Sequence, residues 1–81
     1  MIVEIKISKD KVKMMPVGSL EALQREMTKR VGIVYPDVEV IVKPSSNDSL
    51  SVLRAPDKDK AKKFVENTLQ NTWESADDWF Y

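Results

Sequence analysis

The chain predicts a small α+β fold, a two-layer β-α-β-β-α sandwich with two helices on one face of a three-stranded mixed sheet. Three observations carry that expectation. The apolar pattern alternates between a period of two and a period near 3.6 along the chain. Prolines at 16, 36, 44 and 56 fall where the pattern changes. The length of 81 residues allows one thin hydrophobic core and leaves no room for a second, so residues 1–81 are expected to form a single domain.

Residues 2–8 open with strict alternation. Val3, Ile5 and Ile7 face one way, and Glu4, Lys6 and Ser8 the other, which is a strand with one buried face. Lys9 to Lys13 is expected to be a polar, solvated connection, with an anion-binding loop as its functional counterpart. Pro16-Val17-Gly18-Ser19 breaks the chain, and Ser19 is the expected N-cap of the first helix. Leu20, Leu23, Met27, Val31 and Val34 then form one helical stripe. Glu21 with Arg25 and Glu26 with Arg30 are i,i+4 pairs in the favoured order, expected on a solvated face. Pro36 ends this helix near Tyr35.

Val38, Val40 and Val42 alternate with Glu39, Ile41 and Lys43 as a second strand. Pro44-Ser45-Ser46-Asn47-Asp48-Ser49 is loop chemistry, and Leu50 to Leu53 is a short third strand. A hairpin is the simplest link between the two. Asp57 is the expected N-cap of a final helix from Lys58 to Phe80. Within it Ala61, Phe64, Val65, Thr68, Leu69, Thr72, Trp73, Ala76, Trp79 and Phe80 fall in an arc of about 180°. Trp73 is expected in the core. Unbroken, this helix would be about 35 Å long, more than a three-stranded sheet needs for cover, so residues 74–81 are expected to project or lie at an edge.

Composition removes most chemistry. With no Cys and no His, there is no disulfide framework, thiolate nucleophile, Ser-His triad or usual zinc site. Two glycines cannot write a phosphate-cradling loop. No apolar run approaches the ~20 residues of a membrane span, and the alternating N-terminus does not read as a secretory signal. Glu74, Asp77 and Asp78 lack the loop spacing of a calcium site. The expectation is a cytoplasmic, monomeric binding protein that is not an enzyme, with no metal, cofactor or small-molecule substrate.

Charge is balanced in sum and divided in space. Residues 1–63 hold all 13 Lys and Arg against nine acids, whereas residues 64–81 hold no Lys or Arg and four acids, Glu66, Glu74, Asp77 and Asp78. On a helical projection those acids span about 120° opposite the apolar face. They sit at the end of the helix where the macrodipole disfavours them, by roughly 0.3–1 kcal/mol each. Glu74 and Asp78 are also like charges at i,i+4. Lys58, Lys60, Lys62 and Lys63 occupy the opposite, equally unfavourable end. An arrangement that costs helix stability without a structural gain points to function, here an acidic surface for a basic partner. Trp79 and Phe80 beside those acids would make an aromatic hot spot.

The run Thr72-Trp73-Glu74-Ser75-Ala76-Asp77-Asp78-Trp79-Phe80 resembles the C-terminal signature of the DinI family of bacterial DNA-damage-inducible proteins. Leu20-Glu21-Ala22-Leu23, Tyr35-Pro36-Asp37 and Leu50-Ser51-Val52 are similar to family landmarks in the same order, so the resemblance covers essentially the whole chain. It implies the β-α-β-β-α fold. It implies a modulator of the SOS response that binds RecA filaments on single-stranded DNA, stabilises them and restrains their coprotease activity toward UmuD. It implies that the acidic C-terminal helix mimics DNA against RecA. Carried over by position, the partner-binding residues are Glu66, Glu74, Asp77, Asp78, Trp79 and Phe80. The family helix is richer in acids upstream, where this chain has Asn67, Thr68 and Asn71. Two other classes stay open on the residues themselves. One is a nucleic-acid-binding module using Lys9, Lys11, Lys13 and the Lys58–Lys63 cluster. The other is an acidic DNA mimic aimed at a different basic protein.

Overall fold

The computed structural model describes residues 1–76. Its elements are β1 (Ile2–Ser8), α1 (Lys9–Met14), α2 (Ser19–Gly32), β2 (Glu39–Ser45), β3 (Ser49–Leu53) and α3 (Lys58–Glu74). The sheet order is β2-β1-β3. β1 runs parallel to β2, with Val3 opposite Val40 and Ile5 opposite Val42. It runs antiparallel to β3, with Val3 opposite Val52 and Ile5 opposite Leu50. The mixed sheet and the two-layer α+β arrangement therefore hold.

The alternation of β1 buries Val3, Ile5 and Ile7 beneath the helices. Val40, Val42 and Val52 join them from the outer strands, while Leu23, Met27 and Val31 of α2 and Ala61 and Val65 of α3 close the core from above. Full burial of side chains of this size contributes roughly 1.5–3 kcal/mol each. Thr68 and Thr72 take positions in the apolar stripe of α3 because their hydroxyls donate to the backbone oxygens of Phe64 (2.8 Å) and Thr68 (2.7 Å), and the Thr72 hydroxyl also lies 3.5 Å from the Met27 sulfur. Tyr35 and Phe64 meet edge-to-face at 5.8 Å and fasten the end of α2 to α3.

Six local expectations are corrected. β2 and β3 do not form a hairpin: β1 lies between them. The connecting residues pass over the end of β1, where Asp48 Oδ1 accepts from the Ser8 backbone N–H at 2.7 Å. Pro44 lies in an edge strand, the position that tolerates a missing donor, while β1, free of Pro and Gly, pairs on both sides.

The Lys9–Lys13 connection is helical. The Ser8 side chain accepts from the Lys11 N–H and starts α1. Gly18, not Ser19, caps α2: its φ of +87° is a left-handed conformation that glycine adopts without cost. Ser19 is buried instead, and its hydroxyl donates to the Pro16 carbonyl at 2.6 Å.

α3 ends at Glu74, with Ser75 at φ −107°, ψ 26° as its C-cap, so the helix expected to run unbroken from Lys58 is interrupted at Ser75; the expected stretch from 77 to Phe80 lies outside the described residues. The Ser75 hydroxyl donates to the Asn71 carbonyl at 2.9 Å and accepts from the Arg30 guanidinium at 2.9 Å. Finally, Trp73 is 38% exposed and is not a core residue.

The Glu26–Arg30 pair also differs from a solvated one. Arg30 Nε lies 2.7 Å from Glu26 Oε2, and the two side chains are only 27% and 17% exposed. The pair stands between α2 and the end of α3. On the edge of the sheet, Gln24 reaches from α2 to accept the Val42 N–H at 3.0 Å, which shields part of an edge that would otherwise offer pairing to another chain.

Candidate acidic interface along the last helix

The acidic surface is built by α3. Asp57 starts the helix by accepting from the Lys60 N–H at 3.2 Å, and the apolar stripe from Ala61 to Thr72 presses it on the sheet. That seating fixes which way the polar side chains point. Glu66, Gln70 and Glu74 recur at i,i+4 and line one side of the helix, where Gln70 Nε2 donates to Glu74 Oε1 at 3.3 Å. Both carboxylates are exposed, and among the described residues neither has a cationic partner. No basic side chain occupies the last turn of the helix. An incoming cation therefore meets two uncompensated acids, of which Glu74, in the last turn, lies beside the negative end of the helix dipole.

Of the six residues expected at the partner surface, two lie among the described residues. Glu66 and Glu74 share one side of α3 and are accessible. Asp77, Asp78, Trp79 and Phe80 lie outside the described residues. The Lys58, Lys60, Lys62 and Lys63 side chains are exposed over the first turns of the same helix, so the described charge runs from basic to acidic along its length. Of the three lysines between β1 and α2, Lys11 is engaged, because its ammonium hydrogen-bonds the Asp48 carboxylate. That contact, with help from the Ser8 N–H, holds the Asp48 carboxyl below its ordinary range.

One feature escaped the linear reading. The acidic side of α3 does not face open solvent alone. With α1, the end of β1 and the start of β3 it borders a groove of about 710 Å³, with Met15, Leu50, Leu69 and Trp73 supplying apolar walls and Glu66 and Glu74 acids at the helix side. Lys11 and Asp48 stand on the opposite bank. The groove arises because β3 sits beside β1 rather than beyond β2, a pairing no local pattern encodes. Trp73 was the available signal: it lies next to Thr72 at the margin of the apolar arc, where an indole can have one face packed and one exposed.

Fold and surface define a small two-layer α+β protein that presents an acidic helix flank beside an apolar groove. The sequence profile of the DinI-like family matches residues 16–80, and the chain belongs to that family. It is 59% identical over 80 residues to a DinI-like protein of prophage CP-933V in Escherichia coli O157:H7, covering 99% of this chain and 98% of the relative. It is 41% identical over 76 residues to DNA damage-inducible protein I of Serratia marcescens, with 94% of each chain covered. It is 38% identical over 78 residues to DNA damage-inducible protein I of Escherichia coli K12, again with 94% of each chain covered.

Proposed function

We propose that this protein acts in the bacterial DNA-damage response by binding RecA filaments on single-stranded DNA through the acidic side of α3, stabilising the filament and restraining its coprotease activity toward UmuD. It works by binding, not by catalysis, and in the cytoplasm, where that filament forms. Support for the setting comes from membership of the DinI-like family and from relatives named for induction by DNA damage. The single observation that carries the mechanism is the pair of uncompensated carboxylates, Glu66 and Glu74, on one exposed side of the helix. They are arranged as repeated negative charges along a rod, the feature of DNA that a DNA-binding protein meets first. Asp77 and Asp78 would extend the charge, and Trp79 and Phe80 would add aromatic contact.

Charge complementarity of this kind governs orientation and association rate, and it is screened by salt. Co-sedimentation with RecA on single-stranded DNA plus nucleotide, at low and high salt, tests the proposal alongside a UmuD-cleavage assay. Binding that weakens with salt, with slowed cleavage, is the expected result. Glu66→Lys with Glu74→Lys should remove most of that binding without unfolding the protein, since both side chains are exposed. Unimpaired binding by the double variant would sink the acidic-helix mechanism. Binding to naked DNA without RecA would instead favour the lysine clusters.

A further inference from the structure

We infer that the groove between α1, β3 and α3 seats one bulky apolar side chain, Phe, Leu or Met, presented by a Lys- or Arg-flanked segment of the partner protein. This rests on the protein-partner reading above and adds what that partner must present.

The groove pairs two chemistries. Its walls are apolar, from Met15, Leu50, Leu69 and Trp73, and its volume of about 710 Å³ accommodates a large side chain with the backbone that carries it. Glu66 and Glu74 stand on the helix side of this apolar space. The same stretch of α3 thus supplies an apolar contact at 69 and 73 and a negative charge at 66 and 74, which are adjacent rows of one helix. A ligand matching both must carry an apolar group with positive charge close to it in its chain. A phosphate-bearing ligand fits poorly, because Asp48, Glu66 and Glu74 border the groove and its two lysines are already engaged, Lys11 with Asp48 and Lys6 with Glu4. No buried side-chain nitrogen or oxygen among the described residues is left unpaired, so nothing in the walls calls for a polar small molecule.

Trp73 indicates where affinity concentrates. Its indole is 38% exposed although the helix around it has a continuous buried stripe. Partly packed Trp at the centre of an apolar patch is the residue type most often found to dominate interface energy, with surrounding polar groups excluding water. Across the groove, the Lys11–Asp48 contact ties α1 to the β2–β3 connection and holds that bank in place before a ligand arrives. A preformed seat lowers the ordering cost of binding.

The test uses the full chain and a capped synthetic peptide holding one Phe between pairs of Lys. Two control peptides replace the Phe by Ala or the Lys by Glu. Titration of the isotope-labelled protein followed by NMR should move the amide signals of Leu50 and Leu69 and the indole signal of Trp73. The Ala peptide should bind about tenfold more weakly, and the Glu peptide should not bind. Trp73→Ala should lose about tenfold for the Phe peptide with its amide spectrum otherwise retained.

On RecA filaments, Trp73→Ala should lose about tenfold at low and high salt alike, whereas Glu66→Gln with Glu74→Gln should lose affinity mainly at low salt. A Phe peptide that binds no better than its Ala counterpart overturns the groove assignment, as does Trp73→Ala with unchanged filament binding; filament binding by the unaltered protein would then still stand. Conversely, peptide binding in the groove without any filament binding supports the seat and removes RecA as its partner.

Discussion

Arg30 ties the C-cap of α3 to α2, and replacing it by Met isolates that role. Methionine keeps most of the apolar stem, which itself covers surface, and removes the guanidinium. Two contacts vanish together: the 2.7 Å ion pair with Glu26 and the 2.9 Å hydrogen bond to the Ser75 hydroxyl. Hydrogen bonds to charged groups contribute roughly 1.5–3 kcal/mol when shielded, and exposed ion pairs well under 1 kcal/mol. With the two side chains 27% and 17% exposed, the pair falls between those limits. Glu26 is also left half-buried without its cation.

The expected loss is about 2 kcal/mol. With an m-value near 1 kcal/mol/M for a chain this small, the urea midpoint should fall by about 2 M. The melting temperature should fall on the order of 10 °C. A double-mutant cycle with Ser75→Ala should return a coupling of about 1 kcal/mol. Because Glu74 adjoins Ser75, filament binding should weaken while its salt dependence is kept. A loss under about 0.5 kcal/mol, or strict additivity with Ser75→Ala, would refute the view that this contact organises the helix end.

The two glycines should respond in opposite directions. Gly18→Ala meets no atom within 4 Å, so its cost is that of the left-handed backbone alone, about 1 kcal/mol in chemical denaturation; a neutral result would show that the turn can be rebuilt. Gly32→Ala, also in open space but in the last helical position of α2, should gain about 0.5–1 kcal/mol, and a loss would count against that helical geometry. Asp48 titrates below its ordinary 3.8, chiefly through the Lys11 hydrogen bond and then the Ser8 N–H. Its contribution is therefore complete above that value and disappears as pH falls through the lower folded one. Acid unfolding followed by circular dichroism should show this loss in the parent protein and a smaller one in Asp48→Ala, and equal losses would mean the tie is absent in solution.

What was legible in the sequence was whatever a periodic stripe encodes. Val3, Ile5 and Ile7 gave β1 and its buried face, Leu23, Met27 and Val31 gave α2, and Ala61, Val65, Thr68 and Thr72 gave α3. Glu74 stands out because an acid in the last turn opposes the helix dipole, a physical oddity visible without coordinates, whereas Glu66, at mid-helix, is picked out by its projection opposite the apolar face. The failures share a cause, which is that contacts distant in sequence decided them. Asp48 reaches back 40 residues to Ser8, and that link routes the β2–β3 connection over β1. Arg30 reaches forward 45 residues to Ser75 and helps define where the last helix stops. Trp73 fits the apolar arc by angle yet stays exposed, because the α3 segment that carries it borders a groove instead of the filled core.

The position of β1 in the middle of the sheet also has a temporal side. β1 is synthesised before either of its partners and must wait for strands that begin at Glu39 and Ser49. No hairpin is available to serve as a local nucleus, so the sheet has no stable subset until residue 53 has been made. Helices can flicker earlier, but the core they cover does not yet exist. Folding of this kind is dominated by non-local closure and is slow for its size. It should be all-or-none, with chains that stop before β3 remaining sensitive to protease along their whole length.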